Sequence, residues 1–179
     1  MTGSERAAAR GAVTPAQLSK AAERVLSLCR GRSLTIATAE SCTGGLLAAM
    51  LTEIAGSSDV FERGFVTYSN AAKAAMLGVP ATVLARYGAV SRETAEAMAA
   101  GALAHSPAHI VVAFTGIAGP TGGSQDKPVG LVHFAAMSRG GTLIAREKRF
   151  GGIGRRQVRL ASVAEALALL EALATGAGA

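Results

Sequence analysis

Ser41 and Cys42 stand where one backbone pattern gives way to another, and both carry nucleophilic side chains. Leu34 to Thr38 reads as a strand, with Leu34 and Ile36 on one face. From Leu46 onward, Leu46, Leu47, Met50, Leu51 and Ile54 recur at spacings of three and four, which predicts a helix. The first backbone N–H groups of a helix have no intrahelical partner and carry partial positive charge. Thr43, Gly44 and Gly45 supply such groups here, and the two glycines would let a ligand approach the backbone closely. A hydroxyl beside free N–H donors is the arrangement that acyl transfer needs: the hydroxyl attacks and the donors receive the oxyanion. The same residues also fit a plain helix cap, with Ser41 or Thr43 as the capping side chain. Taken alone, the stretch fits the cap better than the nucleophile.

A serine nucleophile needs a base. The three histidines offer no motif: His105 and His109 are separated by Pro107, and with His133 they form no recognisable ligand set. No metal site is expected. No histidine lies near Cys42 to pair with it, which ranks Cys42 below Ser41. A lysine serves as a base when burial keeps it neutral. Lys73 is the best placed, five residues after Tyr68 and on a short helical stretch. Tyr68 could relay a proton or orient that lysine. By spacing alone, a solvated helix lysine and an amphipathic strand end explain the two residues as well. Thr115 to Gly123 holds four glycines and a proline, starting Thr115-Gly116. Such a loop either forms an anion-binding nest of N–H groups or is a long turn. Arg155, at the start of the last helix, is either a phosphate clamp or a surface arginine.

The elements that must position these groups alternate along the chain. Thr14, Pro15 and Gln17 read as a capped helix start, followed by an apolar stripe at Leu18, Ala22, Val25 and Cys29 and a stop at Gly31. The strand and helix around Ser41 follow, ending near Gly56. A second strand is expected from Phe61 to Tyr68. Asn70 is the expected cap of a short helix over 71–77, and another short helix ends at Tyr87. Ser91 opens a longer helix through Ala104. His109 to Phe114 reads as a buried strand. A hairpin comes next, one strand ending near Met137 and the other running from Thr142 to Phe150. Arg155 to Leu173 is a long amphipathic helix. Helices alternating with strands, closed by a hairpin, give an α/β fold: one domain over 14–174 whose mixed β-sheet is covered by helices. Residues 1–13 read as a disordered start and 175–179 as a frayed tail.

The chain has 179 residues, a net charge of +6 and 4% aromatics. Length suits one domain. The charge favours anionic partners, but no basic platform with interleaved aromatics appears, so a small anionic substrate is expected rather than specific nucleic acid. No apolar run approaches the ~20 residues of a membrane span, and no signal-peptide core precedes Val13. The two cysteines form no CxxC motif, which fits reduced thiols and a cytoplasmic location. There is no GxxxxGK[ST], no GxGxxG after a strand and no GxSxG.

Four motifs stand in a recognisable order: Ala39-Glu-Ser-Cys-Thr-Gly-Gly45, Tyr68-Ser-Asn-Ala-Ala-Lys73, Thr115-Gly-Ile-Ala-Gly-Pro-Thr-Gly-Gly123 and Lys127-Pro-Val-Gly130. With them the chain resembles the nicotinamide-nucleotide amidase family, the C-terminal domain of competence-damage-inducible CinA proteins, from about Pro15 to Leu173. The resemblance implies hydrolysis of nicotinamide mononucleotide to nicotinate mononucleotide and ammonia, in pyridine-nucleotide salvage, without a cofactor. It implies Ser41 as nucleophile, Lys73 and Tyr68 as its base system, Thr115 and the glycines after it as substrate contacts, and Arg155 near the phosphate. It also implies a three-layer α/β domain and self-association into a homo-oligomer. The family's frequent N-terminal pyrophosphatase-like domain, with its metal dependence, is not expected here. One departure is plain. The family pattern Phe-x-Gly-Asp-Arg becomes Phe150-Gly-Gly-Ile-Gly-Arg155, one residue longer and with glycine in place of aspartate. That departure supports the alternative of a non-catalytic nucleotide-binding domain, against which the intact Ser41, Tyr68 and Lys73 argue.

Overall fold

The computed structural model describes residues 12–176. Helix α1 (Pro15–Gly31) starts as its sequence dictates. Gln17 N–H donates to Thr14 Oγ1 at 3.3 Å, and Thr14 N–H donates to Gln17 Oε1 at 2.9 Å. This reciprocal pair satisfies donors that the helix itself cannot. Val13, expected within a disordered start, instead packs against the hydrophobic cluster that contains Leu18. The remainder of that expected segment, residues 1–11, lies outside the described residues, as do residues 177–179 of the expected tail.

Strand β1 (Ile36–Glu40) leads into helix α2 (Leu46–Thr52), a 3₁₀ turn (Ser57–Asp59) and strand β2 (Phe61–Val66). Helices α3 (Asn70–Leu77), α4 (Ala81–Tyr87) and α5 (Arg92–Ala104) follow. Strands β3 (Ile110–Gly116), β4 (Leu131–Ser138) and β5 (Leu143–Arg149) precede the last helix, α6 (Arg155–Thr175). Several boundaries differ from the sequence expectation. Helix α2 stops at Thr52, turns occupy the interval 53–56 that periodicity had given to the helix, and the 3₁₀ turn follows. Strand β2 ends at Val66, so Tyr68 lies beyond it. Ser69, not Asn70, caps α3, its hydroxyl accepting from Ala72 N–H at 3.0 Å. Strand β3 runs two residues past Phe114, because Thr115 and Gly116 keep pairing with His133 and Val132 of β4.

The sheet order is β2-β1-β3-β4-β5. β1 pairs in parallel with β2 and β3, and β3, β4 and β5 pair antiparallel. Alternation along each strand splits the apolar side chains between two layers. On one face, Ile36, Val112, Phe114, Val132 and Phe134 pack with α1, α2 and α6. On the other, Ala37, Ala39, Val111 and Ala113 meet α5 and the end of α3. Small residues set the spacing of this second layer. A Cβ on Gly101 of α5 would collide with the Leu77 carbonyl oxygen, so glycine there lets α3 sit directly on α5. That seat fixes the helix that carries Lys73.

Register decides where the site falls. Glu40 is level with Val66 in β2 and with Phe114 in β3. β1 and β2 therefore end level, β3 continues two residues further, and the residues after each emerge at one edge of the sheet. In open α/β sheets, ligands bind at this carboxyl end.

Candidate active site

Ser41 follows the last residue of β1, and Thr67 follows the last residue of β2. Lys73 sits in the first turn of α3, where side chains lean back toward the helix N-terminus. Those three facts bring Lys73 Nζ to 3.0 Å from Ser41 Oγ and 2.8 Å from the Thr67 carbonyl oxygen. Residues thirty-two apart in sequence thus touch because two parallel strands share a register. Lys73 is only 1% exposed. It forms no ion pair with a carboxylate among the described residues. Burial lowers its pKa below the ordinary lysine value of 10.5, and the nearby Cys42 only partly opposes that. An uncharged amine has two donors and one lone pair. It can donate to the Thr67 carbonyl and accept the Ser41 hydroxyl proton in this geometry.

The turn that presents Ser41 is built by a residue that no motif or spacing singled out. The Glu40 side chain is fully buried. Its carboxylate accepts the Thr43 hydroxyl at 2.6 Å and the N–H groups of Leu47 and Ala48 at 3.1 and 2.9 Å. Glu40 therefore caps α2, in place of Ser41 or Thr43. It also occupies the helix donors that would otherwise face a ligand. Gly44 N–H donates to the Ser41 carbonyl at 3.0 Å, closing a tight turn. Gly45 adopts φ 93° before α2, a left-handed conformation that favours glycine. Thr43, Gly44 and Gly45 thus build the turn and lie outside the lining of the cleft.

A cleft of about 280 Å³ opens over Ser41. Its lining includes Cys42, Tyr68, Lys73, Thr115, Gly116 and Arg155. Cys42 is buried beside Ser41, and its thiol is pushed up to about 11, chiefly by desolvation. A thiol held protonated is a poor nucleophile. Cys29 is also a free thiol, buried in α1 and outside the lining of the cleft. Thr115 is buried and its hydroxyl donates to the Ala89 carbonyl at 2.8 Å, anchoring the floor. Gly116 admits no side chain: a Cβ would stand 2.6 Å from Val132 Cγ2 and 2.7 Å from the Leu131 oxygen.

Tyr68 is 60% exposed and stands at the mouth. Arg155 donates to its hydroxyl at 3.1 Å and to the Gly119 carbonyl at 2.9 Å. Arg155 thus ties the glycine-rich loop to the β2–α3 turn across the opening. Among the described residues, Tyr68 makes no hydrogen bond to Ser41 or Lys73. The Ala89-Val90 segment also lines the cleft, although nothing in the sequence marked it. A flag for it exists only in three dimensions, in the Thr115 bond to Ala89. No group of three or more His, Cys, Asp or Glu suited to a metal lies among the described residues. No helix among them is long and apolar enough to cross a membrane.

Known proteins are similar to this chain in sequence and fold. A family model for the CinA C-terminal domain matches residues 18–174. The nicotinamide-nucleotide amidohydrolase PncC of Escherichia coli K12 is 49% identical over 158 residues, spanning 88% of this chain and 95% of that one. A CinA-like protein of Mycolicibacterium vanbaalenii is 51% identical over 87% of this chain, which corresponds to 36% of the longer relative. Among solved structures, the competence/damage inducible protein CihA from Agrobacterium tumefaciens is similar with a TM-score of 0.86 and 55% identity, covering 87% of this chain and 94% of that one.

Proposed function

The chain belongs to the CinA C-terminal domain family, and we propose that it hydrolyses the carboxamide of nicotinamide mononucleotide, with Ser41 as nucleophile and Lys73 as base. The amidohydrolase relatives support the reaction. The observation that carries the roles is the buried Lys73 amine 3.0 Å from Ser41 Oγ, with no carboxylate paired to it among the described residues. Neutral Lys73 takes the Ser41 proton as the oxygen attacks the carboxamide carbon. The tetrahedral intermediate carries its negative charge on the former carbonyl oxygen, near the backbone of the Ser41 turn. Lys73 then gives its proton to the departing nitrogen, and ammonia leaves. Water attacks the resulting ester, passing its proton to Lys73. Collapse returns that proton to Ser41 and frees the acid, which gives its remaining proton to solvent or to the released ammonia and leaves as nicotinate.

Lys73 is the first proton acceptor in this reading. Tyr68 and Arg155 hold the mouth, where the substrate phosphate meets the guanidinium. The extra residue in Phe150–Arg155 does not remove Arg155 from the cleft. Nicotinate mononucleotide then feeds pyridine-nucleotide salvage. The partner is a small nucleotide, and neither nucleic acid nor membrane enters the scheme. Ammonia release from nicotinamide mononucleotide by the purified chain tests it. Turnover that is lost in Ser41→Ala supports the proposal, and tight nucleotide binding without ammonia overturns it in favour of a binding domain.

A further inference from the structure

Arg155 and Arg159 stand one helical turn apart on α6 and do different things at the cleft. Arg155 spans the mouth. Arg159 goes behind the nucleophile, its Nη2 donating to the Thr43 carbonyl at 2.6 Å. Thr43 is thereby held from two directions: its hydroxyl by Glu40 at the end of β1, its carbonyl by Arg159. Between them, Gly44 N–H closes on the Ser41 carbonyl. With Thr43 fixed at its hydroxyl and carbonyl and Ser41 fixed at its carbonyl, rotation about its own side-chain bond is the main freedom left to Ser41. The Arg159 head is not placed for stability alone. Its Nε–H is buried with no hydrogen-bond partner, a cost that an apolar anchor of the same length would avoid. Arg159 is also absent from the lining of the cleft, so it does not reach the substrate.

We propose that Arg159 is a positioning residue for the reaction: acting through the Thr43 carbonyl, it sets the Ser41 turn so that Oγ stays within reach of Lys73 and of the carboxamide carbon. Its charge also polarises the Thr43–Gly44 peptide, strengthening the Gly44 donor that closes the turn. The proposal rests on Ser41 being the nucleophile. Small misplacements of a nucleophile cost about 10²-fold in rate, while ground-state binding of the nucleotide is left alone.

The test measures ammonia release from nicotinamide mononucleotide by the full chain carrying Arg159→Met, Arg159→Lys or Arg159→Ala, beside Ser41→Ala. Arg159→Met should lower kcat about 10- to 100-fold with KM within a few-fold of the parent. Arg159→Lys, which keeps one donor and the charge, should recover part of that loss. Millimolar guanidinium should raise the kcat of Arg159→Ala, because a free guanidinium can refill the vacated contact with Thr43. If Arg159→Met is not obtained folded, the lysine variant and the guanidinium titration carry the test. A parent-like kcat in folded Arg159→Met overturns the proposal. So does a loss confined to KM, which would make Arg159 a phosphate ligand, and so does a kcat loss that neither lysine nor guanidinium relieves. The two readings fail separately. An active Ser41→Ala removes the nucleophile assignment itself, whereas an inactive Ser41→Ala beside a normal Arg159→Met removes only the positioning role.

Discussion

The two walls of the cleft are held in different ways. On one wall, the Ser41 turn is buried and fastened by side chains from elsewhere: Glu40 from β1, Arg159 from α6, and Lys73 from α3. On the other, the stretch from Pro120 to Asp126 runs exposed between β3 and β4. Its own ties are few, among them Ser124 N–H to the Lys127 carbonyl at 2.9 Å and Arg155 to the Gly119 carbonyl. Under the proposed function, the rigid wall aims one atom at another, and the lightly held wall admits and releases the nucleotide. Catalytic precision and substrate traffic are separated in that proposal within one small cleft, with Arg155 bridging the two walls.

Substitutions on the rigid wall should do the most damage. Ser41→Ala and Lys73→Arg should each lower kcat on the order of 10⁴-fold or more, since each removes one member of a pair that works as a unit. Lys73→Arg is the sharper of the two, because guanidinium stays protonated at any usable pH. Cys42→Ala, one residue along, should keep most of the activity. Steady-state ammonia release compares all three, and a Cys42→Ala variant as dead as Ser41→Ala would move the nucleophile.

A smaller effect is expected at the cap. Glu40→Gln replaces one acceptor oxygen with an NH₂ group that faces an N–H donor, at Leu47 or at Ala48. Leaving a buried donor unsatisfied costs about 1–3 kcal/mol, read as a lower urea midpoint at unchanged slope. An unaltered midpoint would mean that the rigid wall does not depend on this carboxylate. The smallest effect belongs to the mouth. Tyr68→Phe deletes a hydroxyl that bonds Arg155 and neither Ser41 nor Lys73. It should raise KM a few-fold while kcat stays within about tenfold of the parent, because the chemistry is not its partner. A kcat loss as large as that of Lys73→Arg would make Tyr68 the base.

The sequence made the fold legible wherever period and punctuation agreed. Thr14-Pro15 with Gln17 announced α1, and the shift from alternation to three-and-four spacing announced the β1–α2 junction. Boundaries slipped where local signals competed. Asn70 looked like a cap as good as Ser69, and Ile54 extended an apolar stripe past the true end of α2 at Thr52. The site was legible only in part. Spacing along the chain could not bring Lys73 to Ser41, because that contact depends on β1 and β2 being parallel neighbours in register; the family resemblance supplied it. Glu40 was hidden for another reason. A lone glutamate at a strand end reads as a solvated terminus, and only the closing of α2 onto it shows a buried cap. Thr43, Gly44 and Gly45 sat beside the nucleophile in sequence and were natural oxyanion candidates, yet their geometry serves the turn.

The central claim is that an uncharged Lys73 activates Ser41, and the ionisation of Lys73 tests it most directly. NMR titration of its side-chain carbon next to Nζ, in the substrate-free chain, would be assigned by its loss in Lys73→Met. Burial disfavours the ammonium, so the folded pKa lies below the ordinary 10.5. The amine is then the form present above that lowered value, and kcat/KM should rise with pH along the same curve and level off. The account predicts deprotonation below 10.5 that coincides with the rise in kcat/KM. Titration at or above 10.5, with full activity at a pH where Lys73 is still charged, would contradict it.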